Sequence, residues 1–346
     1  MKYWILSMIL ILALAQPVSA LEIRAPSVPR AGEEWMPEQT GSFGDGLWEL
    51  LRKAVQGVRP DLTEASGVCA ALMAAVLMLS VLESFSGSLK NILGLGGTVA
   101  ITTILLGSAH SMIRLGGQTV TELSEYGKLL LPVMTAAMAA QGGITASAAL
   151  YTGTAVFNTF LTRLICVLFV PMVYLFLALA SGNGATGEDL LKQLRDMVKN
   201  AVSWCLKTML MVFTTYMGIT GVVSGTTDAA ALKATRVTIS SVVPVVGGIL
   251  SDASEAVLVS AGLVKNAAGI YGILATLAVF LHPFLKIGVH YLMLKATAAV
   301  CGIFGPQRMS GLIADYATAL GLLLAMTGSV CLLLLISTVC FLKGVG

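Results

Sequence analysis

The side chains of this chain best placed to do chemistry crowd into one stretch, residues 240–266, which reads SSVVPVVGGILSDASEAVLVSAGLVKN. Pro244, Gly247 and Gly248 are helix breakers. Asp252, Ser254, Glu255, Ser260, Lys265 and Asn266 then follow inside otherwise apolar sequence. A charge placed in lipid costs at least ~2.5 kcal/mol on insertion scales, so these groups should face protein, water or a pathway. Asp252 and Glu255 stand at i, i+3 and can share a helix face. Lys265 can pair with an acid across a turn. Two readings stand side by side. The stretch lines an ion or substrate pathway, or it is a re-entrant or interfacial loop whose charges are simply solvated.

Other chemistries lack their residues. There is no G-x-x-x-x-G-K-[ST], hence no P-loop. Gly94-Leu95-Gly96-Gly97 and Gly182-Asn183-Gly184 have no strand–helix context, and helix packing or turns explain them. The three histidines are His110, His282 and His290. The last two can share a helix face only if Pro283 does not break it, and packed or interfacial roles suit them better than a metal. Cys69, Cys166, Cys205, Cys301, Cys331 and Cys340 all lie in or beside apolar blocks, with no metal-ligand spacing, and read as small apolar residues of helices. No catalytic set, no cofactor and no disulfide framework is expected.

The elements that must position these residues are membrane helices. The chain has 346 residues, 56% hydrophobic and 11% charged, with mean hydropathy +0.87. A soluble domain carries about 25% charged residues, so this one cannot coat a water-facing surface of its size. The net charge of +3 is too small to argue for nucleic acid. Apolar blocks run over 67–82, 91–107, 129–140 continuing weakly to 150, 155–180, 203–224, 241–250, 256–283, 284–304 and 316–342, some too short or too polar to span alone, which gives six to eight crossings. Strong blocks rarely contain charge, and Arg163 and Lys286 are among the exceptions. Residues 188–202 form an amphipathic helix. Leu190, Leu191, Leu194, Met197, Val198, Ala201 and Val202 are on one face and Glu188, Asp189, Lys192, Arg195, Asp196 and Lys199 on the other, which suits the membrane interface.

The N-terminus reads as an export signal over 1–20. Lys2 precedes a short apolar core, Trp4 to Ala15, and Val18-x-Ala20 offers a cleavage site. Residues 21–66 hold five Lys/Arg and eight Asp/Glu and are expected outside the cytoplasm. They divide into a loose Pro- and Gly-containing linker to residue 44 and an amphipathic helix over 45–58. That helix carries Leu47, Trp48, Leu51, Val55 and Val58 near helical spacing, for docking on the membrane or on a partner. A membrane hairpin is expected over 67–127. Two copies of one unit then follow, 128–225 and 240–342. Leu131-Pro132-Val133 matches Val243-Pro244-Val245, Ser147–Leu150 matches Ser260–Leu263, and Val170-Pro171 matches His282-Pro283, at offsets of 112 or 113. Repeats of this kind place a cavity at their interface, where broken helices can line a pathway.

The stretch VVPVVGGILSDASEAVLVSAGLVKNAAGIYGI (242–273), then HPFLKI (282–287), resembles the signature region of the stage III sporulation protein AE family. LLLPVMTAAMAAQGG (129–143), SAAL (147–150), the export signal and the short external segment resemble that family too. The resemblance covers roughly 43–342. It implies an all-α polytopic bundle in the mother-cell membrane around the engulfed forespore, with an extracytoplasmic mature N-terminus. It also implies a secretion-like channel between the two cells, in which this chain is the candidate permease or export-gate part. The implied partners are the other stage III A proteins and the forespore-membrane protein Q. An independent solute or ion transporter and a non-conducting scaffold are the alternatives.

Overall fold

The computed structural model of the chain describes residues 26–38, 43–85, 90–242 and 247–343, with side chains except those of Arg30, Lys90, Asn91 and residues 221–265. Every regular element among the described residues is helical. A short turn, α1 (Arg30–Glu33), precedes α2 (Phe43–Phe85), α3 (Lys90–Ala140), α4 (Ile144–Arg163), α5 (Val170–Thr186), α6 (Asp189–Val242), α7 (Gly247–Phe304) and α8 (Gln307–Lys343). A π-helical turn, Leu164–Phe169, joins α4 to α5 without a break. Pro171 follows it closely. Proline has no N–H to return to the preceding turn, and a widened π turn accommodates that loss within a continuous rod.

Among the described residues, six stretches are long and apolar enough to cross a membrane: Phe43–Phe85, Ile92–Ala140, Ile144–Thr186, Asp189–Thr220, Asn266–Phe304 and Gln307–Lys343. Six lies at the lower edge of the expected number because neighbouring apolar blocks fuse. Blocks 91–107 and 129–140 share α3, and blocks 256–283 and 284–304 share α7, with Pro132 and Pro283 inside the helices. The expected segment boundaries at 66/67 and 127/128 fall within α2 and α3. The amphipathic stretch 45–58 is the first part of α2, and 188–202 opens α6 instead of standing as a separate interfacial helix.

Successive helices alternate in direction, with α4 and α5 together forming one rod. At one end, Gly187 lies against Arg308, Thr98 Oγ1 donates to Gly184 O at 3.0 Å, and Ser80 Oγ donates to Phe304 O at 2.8 Å. At the other, Gly269 faces Leu342 and Gly272 faces Leu130. Tight turns need residues free of a Cβ. Gly142 has φ 93° between α3 and α4, and Gly187 has φ 71° between α5 and α6. The turn between α5 and α6 and the turn between α7 and α8 lie at the same end.

Helix α8 is the central mast, packed by α3, α4, α5, α6 and α7. Tyr316, Leu323, Met326, Val330, Leu334 and Phe341 are buried along it. Its buried hydroxyls bond back to the helix: Thr327 donates to Leu323 O at 3.0 Å and Thr338 to Leu334 O at 2.8 Å. This satisfies polar groups where water is absent. Interhelical bonds add fastening. Thr154 and Ser337 hydroxyls lie 2.8 Å apart, and Asn158 Nδ2 donates to Ser124 O at 3.2 Å.

Candidate functional site

The sequence-predicted stretch contributes little to the described structure. Pro244 lies outside the described residues, and so do the side chains of Asp252, Glu255, Ser260 and Lys265. Gly247 and Gly248 stand at the start of α7, where the backbone is helical. Asn266 is exposed.

The structure instead gathers ionisable groups farther along α7. Pro283 deletes one backbone donor but the helix continues through it. His282, Lys286 and His290 recur every four residues and so share a face. Opposite them, the turn of α2 after Pro60 presents Asp61 and Glu64. Lys286 Nζ lies 3.0 Å from Asp61 Oδ1 and 3.0 Å from Glu64 Oε2. One ammonium between two carboxylates leaves the cluster at −1. Asp61 is 4% exposed, whereas the Glu64 side chain is half exposed, so the cluster is closed on one side and opens on the other.

Polar atoms around this ion cluster lack partners. His290, 2% exposed, lies with Nδ1 3.0 Å from Lys286 O. A carbonyl can only accept, so Nδ1 carries the proton and Nε2 the lone pair. Among the described residues, that Nε2, Asp61 Oδ2 and His282 Nδ1 are buried without a hydrogen-bond partner. Such atoms cost free energy unless water or a proton reaches them. No group of three or more His, Cys, Asp or Glu side chains among the described residues is arranged to hold a metal.

The N-terminal segment covers the cluster. The Trp35 indole stacks on the His282 ring, centroids 4.5 Å apart and planes 11° apart. It occupies the space a side chain at position 57 would need. A Cβ on Gly57 would meet Trp35 at 2.3 Å, and one on Gly32 would meet Val279 at 2.6 Å. Lys53 Nζ holds the chain beyond the indole by donating to Met36 O at 3.0 Å, and pairs with Glu49 at 3.0 Å.

Two further polar features surround the bundle. On α3, Arg114, Gln118, Thr121, Glu125 and Lys128 are all exposed at helical spacing, between apolar flanks. Arg114, Gln118, Thr121 and Glu122, with Cys166 and Val170, border a groove of 440 Å³ beside the π turn. Near the Gly187 turn, Arg195 pairs with Asp315 of α8 and with Asp196 at 2.9 Å. Arg195 thus points inward, a correction to its place on the outer polar face of 188–202. The helical wheel assigned it by polarity alone, and the partly buried acid that draws it in is 120 residues away.

Lys286 announced itself in the sequence as a charge within an apolar block, and His282 and His290 as a pair sharing a face if Pro283 did not interfere. Asp61 and Glu64 did not, because the surrounding charges made them look like part of a solvated external segment.

Comparison with known proteins agrees with the resemblance in the primary structure. Residues 35–344 match the family described as stage III sporulation protein AE, the match starting at Trp35. The stage III sporulation protein AE of Bacillus subtilis (strain 168) is 22% identical over 202 residues, which cover 58% of this chain and 51% of that protein. The chain thus aligns with about half the length of that relative. No solved structure matches. With the family match extending over nearly all of a helical chain that carries six candidate membrane spans among its described residues, the protein belongs to the stage III sporulation protein AE family.

Proposed function

We propose that this chain is a multi-pass component of the secretion-like channel between mother cell and forespore, and that it contributes to the conduit. It resides in the mother-cell membrane around the forespore, with its mature N-terminus outside the cytoplasm, and works with the other stage III A proteins and the forespore-membrane protein Q. It performs no catalytic step. The observation that carries this reading is the family match over residues 35–344. The α3 stripe favours a conduit over a bare scaffold. Five exposed polar residues in the middle of a 51-residue candidate membrane helix are costly against lipid and suit a water-filled path. The stretch Pro244–Asn266, with Asp252, Glu255 and Lys265, is the second candidate lining.

The test is purification of the solubilised protein from sporulating cells, with mass spectrometry of what accompanies it. Recovery of the other stage III A proteins supports a channel component. Recovery of this chain alone, from an extract in which those proteins remain associated with each other, favours a stand-alone transporter. Asp252→Asn combined with Lys265→Met separates conduit from scaffold. A conduit loses forespore development with the assembly intact, and an unchanged strain removes this stretch from the pathway.

A further inference from the structure

We propose that the cleft where the α5–α6 turn meets the α7–α8 turn binds a phosphate group, carried by a lipid headgroup or by a soluble phosphoester. The proposal rests on the described geometry and stands whether or not the chain forms a channel. The cleft has a volume of 430 Å³, between the end of α5 and the starts of α6 and α8. In its wall, Arg195 is held by Asp315 and Asp196, so these charges satisfy one another. The rest of the lining is different. Lys192 and Arg308 face a single further acid, Asp189. Neither cation is ion-paired among the described residues. That leaves an excess of one positive charge, and the amides of Asn183 and Gln307 can donate beside it.

The backbone reinforces the charge. Helices α6 and α8 both begin at the cleft, and the N-terminus of a helix favours an anion. Arg308 is also placed by its neighbour. Gly187 turns the chain with φ 71°, and a Cβ there would meet Arg308 Nη2 at 3.0 Å. The guanidinium of one turn thus lies against the backbone of the other, and only glycine leaves it that room.

Depth in the membrane narrows the ligand. Exposed Ile303 and Phe304 precede the α7–α8 turn, and exposed Leu190 and Leu194 follow the α5–α6 turn. In a bilayer these side chains meet acyl chains, which sets the two turns at headgroup level. A phosphate offers the guanidinium two oxygens and keeps another for the ammonium. A metal cation is disfavoured by the excess positive charge, since Asp315 is already taken by Arg195.

The test titrates the detergent-solubilised full chain with phosphatidylglycerol, with diacylglycerol of the same acyl chains, and with glycerol phosphate. Native mass spectrometry reads what is bound. Saturable binding of a phosphate-bearing ligand is expected, with diacylglycerol unable to compete. Arg308→Gln and Lys192→Gln should each weaken it roughly tenfold. Lys343→Gln, which removes an exposed cation at the other end of the bundle, should leave it unchanged. Lys192 and Arg308 are exposed, so both variants should fold. Gly187→Asn keeps every charge and tolerates a positive φ, but its side chain must displace the guanidinium and should weaken binding as well. Glycerol phosphate that displaces the lipid assigns the site to soluble phosphoesters, and binding of phosphatidylglycerol alone assigns it to a headgroup. Binding of neither overturns the proposal. So do diacylglycerol binding as well as phosphatidylglycerol, a loss in Lys343→Gln equal to that in Arg308→Gln, and full affinity in Gly187→Asn.

Discussion

Lys286 is held by two acids of unequal burial, and that inequality sets what each substitution should do. Lys286→Met leaves Asp61 as a charge without its counter-ion in a closed pocket, at a cost of roughly 3 kcal/mol. Glu64→Gln removes a half-exposed partner and should cost less than about 1 kcal/mol. Adding Asp61→Asn to Lys286→Met should recover part of the loss, because the stranded charge is gone. Chemical unfolding of the purified protein in detergent checks all three. If Lys286→Met unfolded together with wild type, Asp61 would have to be reached by water, and the pocket would not be closed. Lys286 was legible in the sequence because a charge amid apolar residues demands a partner. Which acid answers it was not, since Asp61 lies 225 positions away and only the packing of α2 on α7 brings the two together.

Between elements, small residues decide how closely helices approach. A Cβ on Gly153 of α4 would sit 2.0 Å from Tyr216 Cε1 of α6. Gly153→Ala must therefore displace the ring, whose hydroxyl donates to Ala149 O at 3.1 Å. The expected destabilisation is about 1–3 kcal/mol. Gly218, two residues beyond Tyr216, has nothing near its missing side chain. Gly218→Ala should be neutral or stabilising by up to ~1 kcal/mol, because alanine suits a helix interior better. Thermal unfolding of the two variants side by side distinguishes a packing contact from a general dislike of substitution. A Gly153→Ala protein as stable as Gly218→Ala would mean that α4 and α6 do not meet at this point. Hydropathy made the helices legible as apolar blocks, but not their extents. Pro283 reads as a boundary in sequence, yet α7 passes through it, since backbone groups freed by proline can be satisfied within a packed membrane bundle. The inward turn of Arg195 escaped for a related reason: amphipathicity describes one helix, and its partner Asp315 belongs to another.

At the scale of the molecule, the bundle is taller than a bilayer is thick. Helix α3 has 51 residues, about 76 Å of helix against a hydrocarbon core of about 30 Å. Exposed apolar side chains lie on both sides of its polar stripe, Val99 and Leu106 before it and Leu129 after it. Tilt alone does not absorb such a length, and lipid against Arg114, Gln118 and Glu125 is costly. Water or protein must meet this face. Single cysteines placed in a Cys166→Ala background, which clears the native thiol bordering the groove, should report which. Gln118→Cys and Thr121→Cys are expected to react with a membrane-impermeant maleimide, and Val99→Cys and Leu106→Cys to stay unlabelled in the same membranes. The comparison between the isolated chain and sporulating cells then carries the argument further. Labelling that persists in cells means water lies along α3 in the assembled state, as a conduit requires. Labelling in the isolated chain that vanishes in cells means another protein covers the stripe, and α3 becomes a docking surface for the assembly. Inert cysteines at positions 118 and 121 in both settings, with Leu106→Cys equally inert, would remove α3 from the water path and leave the stretch Pro244–Asn266 as the remaining candidate lining.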